Sequence, residues 1–164
     1  MDQERIATAR SNAFSVVVTI GLIAGTLDIT DSLVFNHFRG ITPTMVFQYI
    51  ATGLIGTRAT NLGLASVALG VVLHYTIALT WTAIFYAASR KLAILTRRPV
   101  ICGLLFGAFV YVVMNFIVLP LSCVPRVHGT ATLAARINAV VALLLCIGLT
   151  ISLLVRRLAP PPSS

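Results

Sequence analysis

Four apolar stretches, each near or above the ~20 residues a helix needs to cross a bilayer, leave this chain few folds to choose from. They cover about 13–35, 63–88, 100–121 and 132–155. In hydrocarbon every backbone N–H and C=O has to be satisfied within the chain, which selects helices over open strands. The reading is therefore all-α, an integral membrane four-helix bundle. Charged residues make up only 10% of the 164, against 58% hydrophobic, so a water-soluble core is the wrong alternative. Arg5 and Arg10 ahead of the first stretch would suit a signal peptide. The stretch nevertheless continues through Ser32, Leu33, Val34 and Phe35 and offers no small-x-small cleavage site, so it reads as a span.

The net charge of +8 is distributed by side. Arg5 and Arg10 precede the first stretch, Arg90, Lys91, Arg97 and Arg98 separate the second from the third, and Arg156 and Arg157 follow the fourth. Arg39, Arg58, Arg126 and, just inside the fourth stretch, Arg136 fall on the other side. This bias places both termini, segments 1–12 and 156–164, in the cytoplasm, with 13–155 as the membrane domain. The basic runs read as topology signals facing anionic headgroups, with no nucleic-acid partner. The expected partners are the lipid bilayer and a homo-oligomer or membrane partner protein.

Thr42 as N-cap, Pro43 at the first helical position and Gly53 as a stop predict a short extra helix, 43–53, in the first outer loop. It is too short to cross and its polar residues, Thr44, Gln48 and Thr52, carry no charge. A cap over the bundle mouth is the preferred reading, with an interfacial or a re-entrant helix as alternatives. Pro99 suits the first position of the third span. The tail, Ala159 to Ser164, reads as disordered.

Beyond Glu4 only two carboxylates occur, Asp28 and Asp31, both within or at the outer end of the first span. An ionisable side chain there costs at least ~2.5 kcal/mol unless it faces a helix partner or a wet cavity. Gly21, Gly25, Asp28 and Ser32 recur at helical spacing, so the face bearing Asp28 is also one a neighbouring helix can approach closely. On the second span His74 shares a stripe with Gly63, Ser66, Gly70 and Trp81. At ~1.5 Å per residue, His74 and Asp28 fall at compatible depths. Asn115 lies at a similar level, about 120° from the line of Gly103 and Gly107. On the fourth span Arg136 and Asn138 point to nearly opposite sides. Asn138, with Ala142 and Ser152, is the inward candidate, and Arg136 either snorkels to headgroups or is the counter-ion of Asp28 or Asp31.

The candidate ligand- or ion-binding set is thus Asp28, Asp31, His74, Asn115, Arg136 and Asn138. Asp28 is expected buried with His74 as partner, and Asp31 nearer the outer mouth. The leading functional reading is a structural or accessory membrane component held together by this polar cluster. The alternative is a small transporter or proton or ion pathway component, oligomeric because one four-helix bundle is narrow. No nucleophile triad, zinc-helix, phosphate-loop or dinucleotide pattern is present, so no catalytic residue is assigned and an enzyme is not favoured. Cys102, Cys123 and Cys146 fit neither a disulfide framework nor a zinc spacing, and His37 and His128 are not level with His74, so no metal, haem or other cofactor is expected.

At 21–28 (GLIAGTLD), 49–56 (YIATGLIG), 69–74 (LGVVLH) and 111–122 (YVVMNFIVLPLS) the chain resembles a group of small bacterial inner-membrane proteins with four spans and no assigned activity. The resemblance covers most of 14–122 and implies bacterial origin and an inner-membrane location, with no substrate. Members of that group often carry a histidine early in the last span, where Asn138 stands here. The departure weakens a metal or haem site that would need two intramembrane histidines.

Overall fold

The computed structural model describes residues 2–125 and 132–159, and the regular structure there is helical throughout. Its longer helices are α1 (Asp2–His37), α2 (Pro43–Ile55), α3 (Leu64–Lys91), α4 (Pro99–Leu121) and α5 (Leu133–Leu158), with a 3-10 helix at Gly56–Asn61 and a single helical turn at Ile94–Arg97 in the connections. The Ala13–His37 part of α1, together with α3, α4 and α5, is long and apolar enough to cross a membrane. Phe14, Leu105, Phe116 and Leu133 on these helices are 73%, 66%, 71% and 74% exposed. An apolar surface of that kind suits a lipid environment and would drive association in water.

Local chemistry explains most helix ends. Thr42 caps α2 by accepting a 3.4 Å hydrogen bond from the Met45 N–H, with Pro43 following at the first position. Gly53 does not stop this helix, contrary to expectation. Its backbone stays helical, and α2 ends at Gly56, where φ is +62° and the N–H bonds the Thr52 carbonyl. Likewise Gly63 belongs to no α3 stripe: it precedes the helix with φ +52°. Thr132 caps α5 through the Ala135 N–H at 3.3 Å. The first and last helices outrun their apolar stretches. α1 begins at Asp2, and α5 takes Arg156 and Arg157 into its last turn, where cations face unsatisfied carbonyls. Arg126, His128 and the tail beyond Ala159 lie outside the described residues.

Small residues set the helix contacts. A Cβ built on Gly21 would fall 2.6 Å from the Leu79 side chain, and one on Gly25 would fall 3.0 Å from the Ala78 Cβ, so α1 and α3 meet along the predicted face. α4 and α5 approach backbone to backbone: Gly148 abuts Gly103 and Gly107, and Gly107 abuts the Leu143 carbonyl. Ser152 Oγ donates to the Pro99 carbonyl at 2.8 Å across this pair. α2 lies along the first turns of α3, with the Phe47 backbone against Gly70. It is tied to the end of α4 by a 3.0 Å bond from the Cys123 N–H to the Gly53 carbonyl.

Two stretches open into wider π-helical turns, Met114–Val118 in α4 and Leu143–Leu149 in α5. The first precedes Pro120, whose ring nitrogen cannot supply the N–H the Phe116 carbonyl would take in an α-helix. Leu119 instead donates to Met114, five residues back. In the second, the Thr150 hydroxyl donates to the Leu145 carbonyl at 3.0 Å. The core draws Ile20 and Ala24 from α1, Trp81 and Phe85 from α3, Val110 from α4 and Ile147, Ile151 and Val155 from α5. Phe106 meets Phe85 and Trp81 edge-on, with ring centroids 4.9 and 6.0 Å apart.

Candidate functional site

Above that core the helices part around a cavity of about 840 Å³. Trp81, Val110 and Ile147 belong to both the core and the cavity lining and form its floor. Side chains of α2, including Met45, Val46, Tyr49 and Ile50, supply one wall. The rest is mostly apolar, with Ile29, Leu73, Ile77, Met114 and Leu143 among its members. Into this lining α1 contributes Asp28, Ser32 and Asn36, α3 contributes His74 and α4 contributes Asn115.

His74 reaches across to α1, with Nε2 2.8 Å from the Gly25 carbonyl oxygen. A carbonyl only accepts, so Nε2 carries the hydrogen, and the neutral ring keeps its lone pair on Nδ1. The missing side chain at Gly25 makes room for Ala78 and the Tyr75 ring, 3.0 and 3.2 Å from where a Cβ would stand. A second bond between the same helices, 3.0 Å between the Thr26 hydroxyl and the Tyr75 phenol, lies beside it. Asp28, one helical turn on, has His74 and Asp31 as the ionisable groups acting on it. It makes no hydrogen bond among the described residues.

Asp31 and Asn138 form a separate unit. Asn138 Nδ2 donates to Asp31 Oδ2 at 2.8 Å, joining α1 to α5, and neither residue lines the cavity. Asp31 is half-buried in this pair. Asn115 lines the cavity with Val118, Leu119 and Ser122, on a face of α4 other than the one Gly103 and Gly107 turn to α5, and its amide N–H bonds the Tyr111 carbonyl at 2.9 Å. Arg136 is exposed and, among the described residues, pairs with neither carboxylate, so the counter-ion alternative is not the arrangement found.

The six candidates therefore divide. Asp28, His74 and Asn115 gather on the cavity, Asp31 and Asn138 bond to each other, and Arg136 stands apart. Asp28 and His74 both line the cavity, and the hydrogen bond of His74 goes to Gly25. Sequence reasoning did not assign Asn36, although it continues the Gly21, Gly25, Asp28, Ser32 spacing by one more turn. It also left out Tyr49, whose place depends on how α2 docks.

The cysteines are free, Cys123 exposed and Cys102 and Cys146 half-buried. Among the described residues, no three His, Cys, Asp or Glu side chains gather as a metal site requires. Compared with family models, curated proteins and solved structures, the chain has no match in any of the three.

Proposed function

We propose that this chain is a multi-pass protein of the bacterial inner membrane, a four-helix bundle with both termini cytoplasmic and α2 closing its outer mouth. We further propose that it binds a small molecule in the cavity as a transporter or pathway component. The orientation is supported by the Arg and Lys bias, and the membrane by the four apolar helices. Asp28 carries the functional reading. Its carboxyl group borders a cavity of about 840 Å³, and no described residue gives it a hydrogen-bond donor. Polar groups that serve packing alone are bonded to one another. A carboxyl left open toward an apolar chamber, inside the ~300–1,000 Å³ range of ligand sites, is what a binding pocket requires.

The packing role belongs to Asp31 and Asn138, whose bond joins α1 to α5 and favours a second reading as an accessory component that scaffolds a membrane partner. A structure in lipid separates the two. Density for a bound molecule or ordered water against the Asp28 carboxyl is expected, whereas a dry cavity with Asp28 turned onto His74 refutes binding. In proteoliposomes, Asp28→Asn should keep the wild-type melting temperature and lose solute or proton flux. A lowered melting temperature in Asp28→Asn, with wild-type flux no greater than that of protein-free liposomes, would favour the scaffold reading.

A further inference from the structure

We infer that the cavity takes a compact apolar molecule bearing a protonated amine, with the ammonium seated on Asp28. The inference rests on the cavity being a binding site and adds the chemical class of its ligand. Charge comes first. Asp28 and His74 are lining residues, and among the described residues no Lys or Arg lines the cavity. An anionic ligand would bring a second negative charge beside Asp28 with no fixed cation to offset either. An ammonium supplies the counter-charge that Asp28 lacks and thereby favours its ionised form.

Hydrogen-bond valence points the same way. His74 commits Nε2–H to Gly25, leaving Nδ1 as an acceptor in the neutral ring. Asn36 and Asn115 each commit an amide hydrogen to their own helix, at 2.8 and 2.9 Å, while their amide oxygens remain unbonded. Ser122 gives its hydroxyl to the Leu119 carbonyl at 2.7 Å. Acceptors are thus left open at Asp28, His74, Asn36 and Asn115, which suit the three donors of an ammonium, while the Ser32 and Tyr49 hydroxyls and the second Asn115 N–H remain as donors. The ring of Trp81 on the floor also favours a cation. The remaining lining is largely aliphatic, which calls for an apolar body behind the amine.

Trp81 is the chain's one tryptophan and lines this cavity, so tryptophan fluorescence comes from a single residue at the site. The full chain in phosphatidylcholine nanodiscs is titrated with three nitroxides of one shape, 4-amino-, 4-hydroxy- and 4-carboxy-TEMPO, which quench tryptophan on contact. The amine should quench at a midpoint about tenfold below the hydroxyl compound, as a charge-assisted hydrogen bond allows, and the carboxylate should be weakest. Asp28→Asn should bring the amine to the hydroxyl compound's midpoint, and Asp28→Glu, which keeps the charge, should retain the preference and so separate loss of charge from loss of fold. Equal midpoints for amine and hydroxyl in the wild type, or an amine preference that survives Asp28→Asn, overturn the ligand class while leaving a binding cavity. Absence of saturable quenching by all three overturns the cavity reading itself.

Discussion

Replacing Gly107 by alanine probes the closest approach of α4 to α5. The added Cβ would stand 2.5 Å from the Leu143 carbonyl oxygen and 2.6 Å from the Leu144 Cα, where ordinary contact begins at 3.4 Å. Both are backbone atoms and cannot rotate away. The helices must therefore part locally by about 0.9 Å, the difference between 3.4 and 2.5 Å. A gap of that order forfeits a quarter to a half of the dispersion attraction between the atoms it separates. Overpacking of this kind costs ~1–3 kcal/mol, and alanine's better helix propensity returns at most ~1 kcal/mol. With the full propensity gain, the net expectation is a loss of up to ~2 kcal/mol. Gly53→Ala is the matched control, because Gly53 is also helical but its nearest neighbour, Val124 Cγ2, lies 3.9 Å from the added Cβ. Only the propensity term acts there, so the change should be neutral or stabilising by up to ~1 kcal/mol. Reversible unfolding in mixed micelles against increasing dodecyl sulfate measures both variants. If Gly107→Ala proves as stable as Gly53→Ala, the backbone contact between α4 and α5 is wrong.

The Asp31–Asn138 bond should give a coupling of ~0.5–2 kcal/mol in a double-mutant cycle of Asp31→Ala and Asn138→Ala measured by the same unfolding assay. Strict additivity would show that the pair does not hold α1 to α5. Gly56→Ala places a Cβ at φ +62°, ψ −151° and should lower stability by ~1–3 kcal/mol despite the ordinary 3.6 Å spacing to its nearest neighbour. Wild-type stability in that variant would mean that α2 ends some other way.

Features that depend on a few neighbouring residues were readable along the chain. Hydropathy summed over a span marks the four long helices, and Thr42, Pro43 and Pro99 mark starts because a cap acts within three or four residues of itself. The spacing of Gly21, Gly25, Asp28 and Ser32 places them on one face, and both glycines do meet α3. Gly53 and Gly56 show where local reading stops. Either could end a helix by residue type, and only the backbone, positive in φ at Gly56, distinguishes them. Asn115 shows the same limit, since its angle from Gly103 and Gly107 measures only how far it stands from the face packed on α5, and the fold alone puts the cavity on another face.

The amino-acid sequence by itself determined an all-helical chain with four membrane-length helices and two carboxylates on the first of them, because backbone satisfaction and hydropathy act within one segment. Tertiary structure decided what those carboxylates do. Asp31 finds Asn138, 107 positions away, while Asp28 meets no donor among the described residues and borders the cavity. The reason is geometric. A hydrogen bond needs two atoms within about 3 Å. Whether they arrive depends on the rotation and depth of each helix, set here by contacts between Gly25 and Ala78, between Gly107 and Leu143, and between Gly70 and Phe47.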